Sequence, residues 1–455
     1  MAKKVYRSYV LSDQSLLLPP SLRDWLPKNH PAWFLSDVVE SLDLSPIYQV
    51  YEAESRGKPP YHPAMMLKVL IYAYSTGVYS SRKIERRLQD DIAFRVLSGN
   101  TQPDFRTISD FRKRHLEAFR HLFLQVLTIC KRAGLVRLGN VALDGTKIKA
   151  NASKHKAMSY QRMLEETERL QNEIEALTQK AQEADAAEDR ELGANRRQED
   201  LPRELAFREQ RLATIRAAKE ALEAEARQRD QRPSTAAADP EKPDPGGQGG
   251  KRRRKRPPGT PEPKAQRNFT DPDSRIMKGS DKQFLQGYNA QAAVDARSQV
   301  IVAADVTNQA ADTPHLVPMV KQVVANVGRK PKRVAADAGF YSETNVTTLQ
   351  GSHIDPHIPP GKQRHRQRRQ PRAPRGRIPK KATLADRMRR KLLTKAGARY
   401  YRQREQSIEP VFGQIKQGRG FRQFSLRGLA KVQGEWHLVC LAHNLRKLFA
   451  ARAAA

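Results

Sequence analysis

The sequence predicts an α/β protein in which a helical N-terminal region precedes a mixed core of strands and helices. Residues 1–130 show helical periodicity, with apolar side chains three and four positions apart. From residue 131 onward, strand-like segments are interspersed with helical ones, an order typical of an α/β core. A heptad-spaced segment interrupts this core, and we expect it to form an inserted helical hairpin.

The N-terminal region, residues 1–130, is predicted to contain several helices. Pro63 suits the first turn of a helix that ends near Gly77, because proline is tolerated at helix starts and glycine favours helix ends. Ser81 can cap a second helix through its hydroxyl group. The apolar face of this second helix would contain Ile84, Leu88 and Ile92.

A third helix is predicted to begin near Thr107, after a polar turn at residues 98–104. It carries Arg112, Lys113 and Arg114 on turns that we expect to be exposed. A helix, a turn and a basic helix can enter a DNA groove, so these three residues are candidate DNA-binding residues. A plain helical bundle with basic side chains in solvent would have the same pattern.

Four later segments have strand character. Residues 140–148 alternate between apolar and other side chains. Residues 284–295 and 299–306 flank residues 296–298, which are predicted to be a hairpin loop. Residues 333–337 are a run of small and apolar residues that ends in an acid.

An insertion separates the first two of these strands. Residues 155–228 are predicted to form an antiparallel helical hairpin, because two stretches have heptad-spaced apolar residues. Residues 229–268 are rich in Pro, Gly, Lys and Arg, and a disordered basic linker is predicted there because little apolar surface can offset chain entropy. The heptad positions are Met163, Leu170, Ile174 and Leu177, followed by Leu205, Leu212, Ile215 and Leu222.

The catalytic core would then comprise residues 131–154 and 269–422, on either side of the insertion. Residues 423–455 are predicted to be a C-terminal amphipathic helix. Its apolar face, which we expect to pack in the core, contains Leu429, Val432, Trp436 and Val439.

The charge of the chain indicates a polyanionic partner. Lys and Arg number 83 against 49 Asp and Glu, which gives a net charge of +34. This excess of positive charge favours DNA, RNA or an anionic membrane as the partner. The alternative is a basic surface that binds none of these. Two basic runs, at 251–256 and 361–380, could lie along phosphates or remain solvated.

The sequence also favours a cytoplasmic location. No apolar run approaches the ~20 residues of a membrane span, and no apolar segment of a secretory signal follows the first residues. The cysteines, Cys130 and Cys440, both lie in apolar helical contexts. They suit a reducing compartment and exclude a cysteine-rich zinc site.

Three acids stand out as candidates for phosphodiester chemistry. Asp144 ends an apolar strand, and Asp337 ends the run of small residues at 333–337. Glu409 precedes Pro410, which fits the first turn of a helix, so we expect Glu409 at a helix start or a kink. Each acid also has a structural alternative. Asp144 could be a turn residue, Asp337 a helix cap, and Glu409 a solvated partner of a lysine.

The functional interpretation rests on metal chemistry. Two divalent ions can stabilise both the attacking and the leaving oxygen of an in-line displacement, and Mg²⁺ prefers carboxylate ligands. Other acids have structural interpretations. Asp295 is assigned to a hairpin turn and Asp305 to a structural strand end, while Asp312 and His315 could form a hydrogen bond near the site or, as we favour, a helix cap.

Several motifs occur in order along the chain. They are Tyr61-His62-Pro63, Leu143-Asp144-Gly145-Thr146, Gly287-Tyr288-Asn289-Ala290-Gln291, Ala336-Asp337-Ala338-Gly339 and Glu409-Pro410-Val411-Phe412-Gly413-Gln414-Ile415-Lys416, followed by a tail from Arg427 to Leu445. In these motifs the chain resembles the DDE transposases of bacterial insertion sequences whose third acid lies in a Tyr-Arg-Glu-Lys signature. Only the helical hairpin and the basic linker fall outside the resemblance.

The resemblance implies an RNase H-like mixed sheet flanked by helices. It implies that Asp144, Asp337 and Glu409 are the catalytic residues and the ligands of two Mg²⁺ or Mn²⁺ ions, with the first acid on the first strand, the second on the fourth strand and the third on a following helix. Removing residues 155–268 leaves a spacing between Asp144 and Asp337 that suits a compact core.

The same resemblance implies contacts to DNA phosphate from the residues that flank the third acid. Tyr401, Arg404 and Lys416 match these positions. The signature has its arginine where this chain has Glu405, and Arg404 stands one residue earlier. Glu405 is also a rival for the third acid, one helical turn before Glu409.

The expected function is therefore DNA transposition, with metal-dependent cleavage at the element ends and strand transfer into target DNA. The expected partners are the terminal inverted repeats, the target DNA and further copies of the chain in a dimer or larger synaptic complex at the nucleoid. Three alternatives stay open at this stage: a catalytically inactive or domesticated DNA-binding regulator, an RNase H-fold nuclease without strand transfer, and a basic protein that coats nucleic acid.

Overall fold

The computed structural model describes residue 21 and residues 24–52, 59–191, 200–231, 257–279, 283–361 and 376–453. Seven helices are described before the first strand. They are α1 Pro31–Glu40, α2 Ser45–Glu52, α3 Pro63–Thr76, α4 Ser81–Asp90, α5 Ile92–Leu97, α6 Phe105–Arg114 and α7 Leu116–Arg132.

The predicted start and end of α3 are confirmed, and so is the start of α4 at Ser81. The predicted cap was wrong: Ser81 is the first residue inside α4, and its hydroxyl accepts from Arg112 at 3.4 Å. Helix α3 begins at Pro63, and Gly77 follows it in the left-handed conformation with φ of +85°. On α4, Ile84 and Leu88 are fully buried. The prediction was wrong for Ile92, which is 38% exposed because a new helix, α5, begins there. Asp91 starts this helix by accepting the backbone N–H of Ala93 at 3.0 Å.

The predicted third helix is two helices. Asp104 caps α6 by accepting the N–H of Thr107 at 2.6 Å, and His115 separates α6 from α7 with a non-helical backbone. On α7, the apolar side chains of Phe119 and Phe123 are buried in the core.

The core is a six-stranded mixed sheet, with a separate two-stranded sheet beside it. The strands are β1 Asn140–Lys149, β2 Ala157–Ser159, β3 Gln266–Asn268, β4 Arg275–Lys278, β5 Phe284–Asp295, β6 Ile301–Thr307, β7 Arg333–Ala336 and β8 Asp355–His357.

Strand β1 lies at the centre of the large sheet. It pairs antiparallel with β5 from Val141–Asp295 to Lys149–Gly287, and parallel with β7. On its side away from β1, β5 pairs antiparallel with both β4 and β6. Strand β8 pairs parallel with β7. This mixed sheet with flanking helices confirms the RNase H-like fold class, and the hairpin between β5 and β6 was predicted.

Helices complete the core on the C-terminal side of the chain. Trp436 on the last helix is fully buried, and its indole N–H donates to the carbonyl oxygen of Gln291 at 3.1 Å. The last helix packs against α3, α7 and β6, so the N-terminal helices and the sheet share one hydrophobic core. The helices are α10 Leu316–Val327, α11 Glu343–Gly351, α12 Leu384–Leu393, α13 Lys395–Gly413 and α14 Leu429–Ala453, with a π-helical turn at Gln414–Gly418.

The insertion forms a hairpin of two long helices, α8 Tyr160–Glu191 and α9 Asp200–Gln231. They bury heptad residues against each other in a cluster separate from the main core: Met163, Leu170, Leu212, Ile215 and Leu222. At its base, β2 pairs antiparallel with β3, so the two ends of the insertion lie side by side.

The predicted linker was too long. Residues 257–268 contain β3. The N–H of Gly259 donates to the carboxylate of Asp230 at 2.7 Å, so this part of the chain lies against the C-terminal end of α9. The remaining predicted linker residues, 232–256, and most of the second basic run, 362–375, lie outside the described residues.

Candidate active site

Asp144 and Asp337 stand on neighbouring strands. Asp144 lies within β1, and Asp337 follows the last residue of β7 directly. The two strands are parallel, with Leu143 opposite Ala336. The acids occupy the next position on each strand, and paired strands are ~4.8 Å apart. Asp337 makes no side-chain capping hydrogen bond to the 3₁₀ turn that follows it.

Glu409 lies on α13, which packs against both β1 and β7. The expectation that it marks a helix start or a kink at Pro410 was wrong about the start, because α13 continues from Lys395 to Gly413 through the proline. Pro410 cannot donate a backbone hydrogen bond, and the helix ends three residues later in the π-helical turn.

Arg404 connects the first and third acids. Its Nη1 donates to Asp144 Oδ2 at 2.9 Å, and its Nη2 lies 3.5 Å from Glu409 Oε1. The arginine side chain is only 6% exposed, and its guanidinium lies 5.5 Å from the ring centre of Tyr401. Arg404 was predicted to contact DNA phosphate. In this structure its guanidinium instead donates to the carboxylates of Asp144 and Glu409.

Lys416 lies in the π-helical turn after α13 and contacts β1 beyond Asp144. Its Nζ donates to the hydroxyl of Thr146 at 3.1 Å and to the carbonyl oxygen of Lys147 at 3.4 Å. The predicted flanking residues Tyr401, Arg404 and Lys416 are therefore all within the site region. Their DNA contacts stay predictions.

The environment of Asp144 disfavours its charged form. Burial raises the pKa of Asp144 to about 6, and the carboxylates of Asp337 and Asp312 add to the rise. The guanidinium of Arg404 and the backbone N–H of Gly145 act in the opposite direction. Several negative charges gathered around a buried carboxyl favour the approach of a cation.

The donor chemistry of the three acids suits a divalent metal, because carboxylate oxygens are the ligands that Mg²⁺ and Mn²⁺ take. The acids come from adjacent elements. Within the described ranges, however, no three Asp, Glu, His or Cys side chains are already arranged to hold an ion. The guanidinium of Arg404 lies between Asp144 and Glu409 and donates to both.

Asp312 does not cap a helix as predicted. Its Oδ1 instead accepts hydrogen bonds from Asn289 at 2.7 Å, Gln291 at 2.9 Å and Lys147 at 3.2 Å. The reason is the tertiary structure: β5 and β1 bring these three donors to the loop before α10. His315 contributes its backbone N–H to the Asp312 carbonyl, and burial lowers its side-chain pKa.

The other two acids have the predicted structural roles. Asp295 accepts backbone N–H groups from its own hairpin loop and from the segment before β1. Asp305 accepts from the backbone of Val306 and from the side chain of Gln433, and burial raises its pKa.

The basic residues of α6 have different environments. The prediction that Arg112 lies on an exposed turn was wrong: it is buried and donates to the Tyr74 hydroxyl at 3.1 Å and the Tyr79 carbonyl at 2.9 Å. Lys113 is half-exposed beside Asp110, and Arg114 lies over the ring of Tyr51. A DNA contact by Lys113 or Arg114 stays a prediction.

Sequence reasoning missed a buried polar contact between the N-terminal helices and the core. The Tyr74 hydroxyl, which accepts from Arg112, donates to Glu435 Oε1 at 2.9 Å. Glu435 is fully buried on α14, and its Oε2 accepts the N–H groups of Ser425 and Leu426. Its partners are distant in sequence, so no local pattern indicates the contact.

Two comparisons with protein families match most of the described chain. A model described as a transposase domain matches residues 20–114, and one described as a transposase DDE domain matches residues 258–445. The second match contains Asp337 and Glu409, whereas Asp144 lies between the two matches. No curated protein and no solved structure gives a significant match. Of the helices in the described ranges, none has the length and apolar character needed to cross a membrane.

Proposed function

Because the chain belongs to the DDE transposases of insertion sequences, we propose that Asp144, Asp337 and Glu409 hold two divalent metal ions at a site that cuts and joins DNA. Such ions, when bound, stabilise the attacking and leaving oxygens of a phosphodiester displacement. The observation that carries the proposal is the placement of Asp144 and Asp337 on paired parallel strands, with Glu409 linked to Asp144 through Arg404.

The residues of the chain would have distinct parts in this reaction. The three carboxylates bind as anions, so Asp144 must lose its proton despite burial. Arg404 leaves the acids when they close, and its freed guanidinium, with Lys416, can bind a phosphate of the substrate. Tyr401 packs beside Arg404 and would limit where that guanidinium can go.

The proposed reaction has two displacements. Water attacks the phosphorus at the element end, the bond to the 3′ oxygen breaks, and that oxygen takes a proton to become a 3′-hydroxyl. The 3′-hydroxyl then attacks a phosphodiester of the target, forms the new bond and releases a hydroxyl from the target strand. The net charge of +34 supports binding of both duplexes.

A cleavage assay tests this function. The DNA that flanks the gene is first sequenced for inverted repeats. The substrate is a duplex that ends in such a repeat, with a scrambled-end duplex as the control. In Mg²⁺ or Mn²⁺, we expect a nick with a 3′-hydroxyl at the element end and joining to an added target plasmid. No cleavage would support the inactive regulator, and cleavage without joining would support the simple nuclease. Equal cleavage of both duplexes in a chelator would contradict the proposal.

A further inference from the structure

The carboxylate of Asp312 lies against the segments that follow two of the proposed metal ligands. It sits in the loop between β6 and α10, and its Oδ1 accepts from Asn289, Gln291 and Lys147. The two amide side chains are almost completely buried, at 0% and 1% exposure. Both direct their NH₂ groups to Asp312, while neither amide oxygen has a partner within the described part of the chain. The carboxylate is therefore an acceptor that both amides share, and the amide of Asn289 also donates to the carbonyl oxygen of Gln309 at 3.2 Å.

Gly145 shows how closely this group approaches the first acid. A Cβ atom at Gly145 would lie 2.5 Å from Gln291 Nε2, 2.8 Å from Asp312 Oδ1 and 2.9 Å from Asn289 Oδ1. The residue directly after Asp144 thus contacts the Asp312 carboxylate and its amide partners. Lys147, two residues further along β1, donates to the same oxygen.

The segment after the second acid is attached to the same loop. A Cβ atom at Gly339 would lie 3.4 Å from Asp312 Oδ2, and the hydroxyl of Thr313 donates to the Gly339 carbonyl at 2.8 Å. Asn345 also donates to the Thr313 carbonyl at 2.8 Å. One short loop therefore contacts the chain on the C-terminal side of both Asp144 and Asp337.

We infer that Asp312 and Lys147 form a positioning ion pair, which fixes the separation of Asp144 and Asp337 by holding the segments that follow them. The inference rests on the proposed metal site. One oxygen of Asp312 accepts from a cation on β1 and from two amide side chains on β5, so the carboxylate holds these two strands to the loop before α10.

Mn²⁺ binding to the full-length protein distinguishes this positioning role from direct ligation of the metal by Asp312. We expect Asp312→Ala and Lys147→Met each to weaken Mn²⁺ binding by about 10- to 100-fold, as loss of a residue that orients metal ligands typically does. The double variant should be no weaker than Asp312→Ala. If Asp312 were a ligand, removing the nearby positive charge in Lys147→Met would leave Mn²⁺ binding unchanged or tighter, and that result would overturn the inference.

Amide hydrogen exchange of the metal-free protein provides a second readout. Both variants should increase exchange at residues 145–148 and 338–341, with other regions unchanged. Asp312→Asn keeps an acceptor for the amides and loses the charge, so it replaces Asp312→Ala if that variant does not fold. Unchanged exchange and unchanged Mn²⁺ binding would also overturn the inference. Wild-type Mn²⁺ binding that is absent, or that Asp144→Asn does not reduce, would instead refute the proposed metal site and the inference with it.

Discussion

Arg404 donates a hydrogen bond to Asp144 at 2.9 Å across a sequence separation of 260 residues. The pair joins α13 to the central strand of the sheet, and the arginine reaches Glu409 from the same position. In the absence of other cations, this guanidinium is the positive charge that offsets the first acid. A change at Arg404 is therefore expected to alter both the stability of the protein and the charge at the proposed metal site.

Arg404→Met is expected to destabilise the protein at pH 7 by about 2 kcal/mol. Removal of one partner from a fully buried ion pair destabilises a protein by ~3–5 kcal/mol. The loss is expected to be smaller here because 22% of the Asp144 side chain is exposed. Without Arg404 the pKa of Asp144 rises further above about 6. An acid with a raised pKa destabilises the folded state when ionised, and this penalty is relieved as the pH falls through the folded pKa.

The loss in Arg404→Met should therefore be smaller at pH 5 than at pH 7, as measured by urea denaturation at both values. The double variant Asp144→Asn with Arg404→Met is the control, since it has no carboxyl at position 144. Its loss relative to the single variant Asp144→Asn should be nearly the same at both pH values. A loss in Arg404→Met that grows towards pH 5 would contradict this account of the pair.

The helical insertion should be removable without unfolding the core. Ser159 and Gln266 are opposite each other in the β2–β3 pair, so an Asn-Gly turn can replace residues 160–265 and close a short hairpin. The shortened protein should unfold cooperatively and still bind Mn²⁺, because α8 and α9 bury their apolar residues against each other. Thermal unfolding followed by circular dichroism checks this. Aggregation of the shortened protein would show that the core needs these helices.

DNA affinity should depend steeply on salt. Each phosphate contact contributes about −0.9 to the slope of log K against log salt, so replacing the nine Lys and Arg at 361–380 with Gln should flatten the slope by several units. Fluorescence anisotropy over a range of salt concentrations measures it. The matched control replaces the basic residues at 251–256. An unchanged slope in the first variant would show that the 361–380 segment makes no phosphate contacts.

Much of the fold could be predicted because its main strands are long and regular. The predicted bounds of β5 agree with the structure, and β1 and β7 differ by one residue at one end. The strands β2, β3, β4 and β8 were missed. Each has three or four residues, too few for a periodic pattern. Strand β7 is as short, but its run of small and apolar residues indicated it. Strands β2 and β3, which pair with each other, lie far apart along the chain, whereas β4 pairs with the next strand, β5, and β8 with the preceding strand, β7.

The acids of the candidate site could be proposed from the sequence, whereas their partners could not. Asp144 and Asp337 stood out as acids that follow apolar residues in a strand, although the prediction that Asp144 ends its strand was wrong, since β1 continues to Lys149. The roles of Arg404 and Asp312 could not, since their partners are far away in sequence: 260 residues separate Arg404 from Asp144, and 165 separate Asp312 from Lys147. Arg112 was misjudged because its burial depends on Tyr74 and Glu435, which come from other helices.

Single-turnover cleavage of the element-end duplex in Mn²⁺ tests the central claim most directly. Asp144→Asn, Asp337→Asn and Glu409→Gln should each cut at least ~1000-fold more slowly than the wild type, because several kcal/mol of transition-state stabilisation is lost and each 1.36 kcal/mol is tenfold in rate. DNA affinity should stay close to that of the wild type. Glu405→Gln, one turn earlier on α13, is the matched control and should retain near wild-type cleavage. Near wild-type cleavage by any of the three variants, or loss in Glu405→Gln with activity kept in Glu409→Gln, would contradict the assignment.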